Sequence, residues 1–167
     1  MVVLRCTQRV AKRFGLSLSD DAPSSGGLLG DWYANLLNVG HARFVLCLSA
    51  RALLPVLLPA RQSEFPGRFP DHLIRVLTQL GIRHDRIACE ADLARTVLFA
   101  RTRSRQVLGV MNDMSATAAV LLQDDYPYEG LSLLDTSLKL AETPVKPIDH
   151  DSPARVTQSL FAAAGRA

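Results

Sequence analysis

The sequence predicts an α+β fold: a mostly antiparallel sheet of about four strands, with four or five helices packed on it, in a single domain. Three observations lead there. Strand-type runs come early in the chain and helix-type periodicity comes late, an order that favours antiparallel pairing with helices laid on the sheet. The length of 167 residues fits one domain with enough chain to bury a core. The hydrophobic fraction of 48% and charged fraction of 21% are those of a globular chain. Aromatic residues make up only 6%, so Leu, Val and Ala must fill that core.

The elements follow in order. Val2 to Cys6 reads as an opening strand, and Thr7 as the cap of a short basic helix that runs to Phe14 and stops at Gly15. Ser17 to Gly30, rich in Ser, Gly and Asp, is a loop. Asp31 to Val39 and Arg43 to Ser49 are strand candidates joined by a turn at Gly40-His41, a hairpin. Leu53 to Leu58 is an edge strand or an extended segment, because Pro55 has no amide hydrogen to donate. Asp71 caps a helix through Leu80, in which Leu73, Ile74, Val76 and Leu77 fall at helical spacing before Gly81. Asp85 to Asp92 is a helical turn or two, and Leu93 to Ala100 is either the last strand or continued helix. The clearest element is a helix from Arg105 to about Leu122: Ser104 is a natural cap, and Val107, Met111, Met114, Ala118 and Leu121 recur at steps of four and three. Shorter helices follow over Ser132 to Ala141 and over Pro153 to Ala164, the latter with Ser152 as cap and proline at its first position.

Charge and cysteines narrow the class. Residues 1–110 hold fifteen Lys and Arg against eight Asp and Glu, and residues 111–167 hold four against eight, so the positive excess lies in the first two-thirds. Sixteen of the nineteen cations are arginine, the side chain suited to bidentate contact with phosphate or carboxylate. That balance permits an anionic partner without requiring one. Three cysteines, Cys6, Cys47 and Cys89, are an odd number without CxxC spacing, which argues for buried thiols in a reducing, cytoplasmic setting. No signal peptide is evident, and the longest apolar stretch, Ala52 to Ala60, is interrupted by proline and far shorter than a bilayer span, so no membrane partner is expected.

Three segments carry a resemblance. They are Leu4-Arg5-Cys6-Thr7-Gln8; Gly30-Asp31-Trp32-Tyr33-Ala34-Asn35-Leu36-Leu37, followed by the Arg43 strand and Leu53-Leu54-Pro55-Val56-Leu57; and Arg101-Thr102-Arg103-Ser104-Arg105-Gln106-Val107-Leu108-Gly109-Val110-Met111-Asn112-Asp113. Together they resemble a family of small uncharacterised bacterial proteins, a domain of unknown function associated with plasmid open reading frames. The third segment is similar to that family's pattern of Thr followed by Arg-Ser-Val-Leu-Gly-Ser-Met-Asn-Asp. It departs from the pattern in that Gln106 interrupts the order and Val110 replaces a small polar residue. The resemblance implies a bacterial setting and supplies no mechanism.

The strongest physical candidate for a site is the group Arg101, Arg103 and Arg105 at the start of the long helix. Cations are disfavoured at a helix N-terminus unless an anion joins them there, where free amides and guanidinium groups can converge on it. Were Arg101 to Arg105 extended, alternation would put the three on one face; Gly109 and Asn112 share the helix face with Arg105. The competing reading leaves the arginines solvated or paired with carboxylates such as Asp113 or Asp124. A second candidate is Asp31-Trp32-Tyr33-Ala34-Asn35, where Asp31 and Asn35 share a strand face and Trp32 either stacks on a base or anchors the core. Enzyme signals are weak. The four histidines are scattered, Asp85, Cys89 and Asp92 form at best a metal trio on a helix face, and Ser25-Gly26-Gly27-Leu28-Leu29-Gly30 is neither a P-loop nor a dinucleotide fingerprint, so no cofactor is implied. The leading expectation is a binding module for an anionic ligand or nucleic acid. The alternatives are a small nuclease or toxin-like ribonuclease using Asp31 or Asp113, and a protein-interaction module or homodimer built on Leu53 to Leu58.

Overall fold

The computed structural model describes residues 1–123 and 130–165. Its strands are β1 (Val2–Cys6), β2 (Trp32–Val39), β3 (Ala42–Ser49), β4 (Pro55–Pro59) and β5 (Val97–Arg101). Its helices are α1 (Gln8–Phe14), α2 (Phe69–Gln79), α3 (His84–Ala94), α4 (Arg105–Gln123), α5 (Gly130–Glu142) and α6 (Pro153–Ala164), with a 3₁₀ turn at Lys146–Ile148. The class is α+β, but the sheet is mixed and has five strands in the order β4-β3-β2-β1-β5. Strand β1 pairs in parallel with both β2 and β5, while β2–β3 and β3–β4 are antiparallel. This corrects the expectation of about four strands, mostly antiparallel, with four or five helices. A strand followed by a crossover helix returns parallel, and α1 is that crossover between β1 and β2.

Period-2 alternation divides the sheet between two cores. Val2, Leu4, Cys6, Trp32, Ala34, Val45, Cys47, Val56 and Leu58 face α1, α2, α3 and α6, whose Val10, Phe14, Leu73, Leu77, Ile87 and Phe161 join the same cluster. Tyr33, Leu37, Leu46, Leu48 and Leu57 face the opposite way, onto Val107, Met111, Met114 and Ala118 of α4 and Leu133 and Leu140 of α5. Each fully covered aliphatic side chain contributes about 1.5–3 kcal/mol, so the sheet is anchored from both faces. Cys6 and Cys47 are buried thiols in the first core; burial pushes Cys6 up to about 12. Cys89 is exposed.

The individual elements agree and differ in instructive places. Ser104 caps α4, its Oγ accepting from the Val107 amide at 3.3 Å. Ser152 caps α6 by accepting from the Arg155 amide at 3.2 Å. Ser152→Ala should therefore cost about 1 kcal/mol in chemical denaturation. Thr7 stands at the cap position of α1, but its hydroxyl is turned away to donate to Asn35 Oδ1 at 3.0 Å. Helix α2 starts before Asp71, at Phe69, because Pro70 in the first turn lacks only an amide that the helix would leave free anyway. Helix α3 is a full 11 residues rather than a turn or two, and the ambiguous segment after it resolves into helix to Ala94 and strand from Val97.

Both sheet edges are partly covered. On β5, Ser19 makes a parallel bridge to Ala100, its amide donating to the Phe99 carbonyl at 2.9 Å. On β4, the Leu57 amide donates to Ser137 Oγ at 3.0 Å, and Pro55 and Pro59 bracket the strand. The segment Leu53 to Leu58 is core throughout, no residue of it more than slightly exposed. The protein-interaction reading built on that segment is thereby corrected: it offers no apolar surface, and its strand edge is partly covered. No described helix is long and apolar enough to cross a membrane.

Candidate functional site

The site grows from one residue that breaks an apolar run. Strand β1 reads Val-Val-Leu-Arg-Cys and is buried along its whole length between β2 and β5, so Arg5 has no route to water and is only 2% exposed. A buried guanidinium must be paired, since an uncompensated charge there costs several kcal/mol. Its Nε donates to Asp31 Oδ2 at 2.7 Å and its Nη1 to the Arg101 carbonyl at 3.0 Å, while Nη2 is buried without a partner among the described residues. Asp31, itself 6% exposed, enters β2 from the Ser17 to Gly30 loop, and its Oδ1 accepts from the Ser25 amide at 2.8 Å. Arg103 reaches Oδ2 from the other side at 3.4 Å. Burial alone would raise the Asp31 pKa; hydrogen bonds from the Ser25 amide, Arg5 and the Ser25 hydroxyl, together with the Arg5 charge, outweigh it and hold the carboxyl below its ordinary value.

A carboxyl whose folded pKa lies below its unfolded value contributes stability above that unfolded value, and the contribution is lost as pH falls through the folded pKa. Chemical denaturation of the wild-type chain should show this loss as pH falls below the ordinary aspartate value of about 4, and Asp31→Asn should flatten that limb.

Above this buried pair lies a cleft of about 400 Å³, lined by Ser24, Ser25, Gly27, Gly30, Asp31, Ala50, Arg51 and Arg103. The loop that forms one wall is pinned at both ends. The Val3 amide donates to Ser25 Oγ at 2.7 Å, and the Arg51 amide donates to the Leu29 carbonyl at 3.2 Å. Gly30 has φ +74°, and a Cβ there would stand 2.9 Å from Arg51 Cγ, so glycine alone lets the Arg51 stem lie along the loop. Arg51 Nη1 donates to the Leu28 carbonyl at 3.3 Å, which leaves its charge uncancelled. Arg5 and Arg103 thus both contact the Asp31 carboxylate, and Arg51 lines the same cleft with no carboxylate partner among the described residues.

The expected site residues scatter around this cleft rather than meeting in one place. Arg101 turns to Asp20 in an exposed ion pair and gives the cleft only its carbonyl. Arg103 lines the cleft, and Asp31 is its floor. Arg105 is exposed, with no described partner, as is Asn112. The strand ends at Arg101, so the alternation that would have aligned the three arginines does not continue. Trp32 is fully buried, edge-on to Phe69 with ring centroids 4.9 Å apart, and takes the core-anchor alternative with no face left for a base. Asn35 Oδ1 accepts from Thr7 and from the Leu36 amide, a structural brace between β2 and α1. Asp113 is exposed on the rim of a separate groove of about 420 Å³ between α4 and the segment after α5, over Val110, Met114 and Leu140.

With both oxygens occupied, Asp31 is a poor proton shuttle for the nuclease alternative. Asp85 pairs with Arg83 at 3.1 Å and does not gather with Cys89 and Asp92; among the described residues no three metal-type side chains come together. Asp124 and Asp125 lie outside the described residues. Sequence reasoning missed Arg5, Ser25 and Arg51. The signal for Arg5 was present, since a lone arginine inside a run of buried strand positions requires an acidic partner.

Comparison with known families gives a match over nearly all of the chain. The model of Domain of unknown function (DUF6933) covers residues 3–156. No curated protein and no solved structure matches.

Proposed function

We propose a function from the site itself, because the chain belongs to the DUF6933 family, whose function is unknown: it is a binding module for a small oxyanion or phosphate monoester, held in the cleft between Arg51 and Arg103. The observation that carries this reading is the cleft lining, two guanidinium groups, Arg51 and Arg103, against the single carboxylate of Asp31, which the buried Arg5 already pairs. Arginine's planar fork of donors suits phosphate oxygens, and the hydroxyl of Ser24 adds a neutral donor on the facing wall. Arg103 is held to Asp31 by a single long contact at 3.4 Å and is largely exposed, so it is free to turn to a guest.

The volume favours a compact ligand over a polynucleotide strand. Only two guanidinium groups open onto the cleft, so a nucleic acid bound there would show a shallow salt dependence, a log–log slope of about −1 to −2. Calorimetric titration with inorganic phosphate, a nucleoside monophosphate and short DNA and RNA at fixed ionic strength tests the reading. Binding of phosphate or the monophosphate supports it. Binding of oligonucleotides alone, with a steep salt slope, moves the function to the exposed arginines and to nucleic acid. No binding of any of them at millimolar ligand overturns it.

A further inference from the structure

Among the described residues, Glu90 is the one buried acidic side chain that the cleft chemistry does not use, only 4% exposed. It belongs to the buried face of α3, beside Ile87, Ala91 and Ala94, where a charged residue has to find partners inside the protein. Its partners are backbone groups. Oε1 accepts from the Leu28 amide, and the Leu29 amide also hydrogen-bonds the carboxyl. The next residue back, Gly27, passes so close that a Cβ there would stand 2.6 Å from Oε2. The carboxyl therefore grips the middle of the very loop whose Ser24, Ser25, Gly27 and Gly30 form one wall of the cleft. On the far side of that loop the Leu28 and Leu29 carbonyls receive Arg51, by its guanidinium and its amide respectively. One short stretch of backbone is thus held by Glu90 through its amides and by Arg51 through its carbonyls.

We infer that Glu90 is the positioning residue of the oxyanion cleft: by holding the Leu28 and Leu29 amides it turns the Leu28 carbonyl, which shares a peptide plane with the Leu29 amide, toward Arg51 and fixes the Ser25 wall against the guest. This rests on the reading of the cleft given above. Glu90 does not touch the ligand; it acts through Gly27, Leu28 and Leu29. The absence of a side chain at Gly27 is part of the same device, since the space a methyl group needs is filled by the Glu90 carboxyl.

The test uses sulfate, whose charge is constant across the working pH range, with the folded state of each variant checked by circular dichroism. Glu90→Ala should weaken sulfate binding by about tenfold, the scale on which partners one step removed from a site act, and Glu90→Gln should recover to within about threefold because its carbonyl oxygen still accepts an amide. Gly27→Ala should match Glu90→Ala. The double variant Gly27→Ala, Glu90→Ala should be no weaker than Glu90→Ala alone, because the clash disappears with the carboxyl. In the wild-type chain the Leu28 amide proton resonance should lie downfield and move on sulfate addition, and in Glu90→Ala it should lie upfield and stay there. Wild-type affinity in Glu90→Ala and Gly27→Ala, in a protein whose affinity does fall on Arg51→Ala, Arg103→Ala, overturns the role of Glu90 and leaves the cleft standing. Unchanged affinity in the arginine variant overturns the cleft itself. If Glu90→Ala does not fold, Gly27→Ala and Glu90→Gln decide the question by the same comparison.

Discussion

Asp31→Ala is expected to lower the free energy of unfolding by about 3–5 kcal/mol, the cost of leaving one half of a buried ion pair without its partner. For a chain of this size that is a fall in Tm on the order of 10 °C. The reasoning is local. Arg5 is 2% exposed in an interior strand of the sheet and cannot move to solvent when its carboxylate disappears. Its Nη2 has no described partner even in the intact protein, so the guanidinium has nothing in reserve. The Ser25 amide loses its acceptor at the same time, and with it the loop that leads into β2. The companion variant Arg5→Met, Asp31→Leu removes both charges together and should recover part of the loss, because an apolar pair of similar volume needs no compensation. Thermal and urea denaturation of the three proteins measure both effects. Equal destabilisation of the single and double variants would mean that Asp31 contributes through the Ser25 loop and not through Arg5.

The second large effect concerns binding. Arg51→Ala, Arg103→Ala removes both guanidinium groups that open onto the cleft while leaving the buried Arg5–Asp31 pair in place. Two charge-assisted hydrogen bonds at the lower end of their usual strength correspond to a loss of about a hundredfold in phosphate affinity. The folded state should hardly change, because both side chains are exposed and neither belongs to the core. Arg105→Ala is the matched control: it is an exposed arginine two residues beyond Arg103 with no place in the cleft, and its loss should leave phosphate affinity within about twofold, the screened long-range effect of one distant charge.

How much of this was legible in the sequence depends on whether the deciding contacts are local. Helix α4 was readable because its core stripe, Val107, Met111, Met114 and Ala118, repeats at helical spacing behind a serine cap, and capping and periodicity are both short-range. The β2–β3 hairpin was readable for the same reason. Strand β5 was not: it follows α3 with no Gly or Pro between them, its residues are only half covered, and its partner is β1, at the other end of the sequence. The mixed character of the sheet is likewise a property of strand order, which periodicity does not encode. Within the site, Arg103 and Asp31 were singled out separately, yet nothing near either one in sequence shows that Arg103 and Arg5 meet at the same oxygen of Asp31. Two residues did carry a readable anomaly. Arg5 sits in an otherwise apolar strand, and Glu90 stands on the apolar face of α3; each is a charge at a position whose pattern calls for burial, Arg5 pairing with Asp31 beneath the cleft and Glu90 accepting from the Leu28 amide of its wall.

The most direct measurement is a phosphate titration followed by ¹H–¹⁵N correlation spectra of the assigned protein. The amides of Ser24, Ser25, Gly27, Gly30 and Arg51, together with the Arg51 and Arg103 side-chain Nε resonances, should shift saturably and with one common affinity, while the amides of Arg105 and Asn112 on α4 stay in place. Saturable shifts confined to the start of α4, or an unchanged spectrum at millimolar phosphate, would contradict a cleft in which Arg51 and Arg103 receive the anion over the buried Arg5–Asp31 pair.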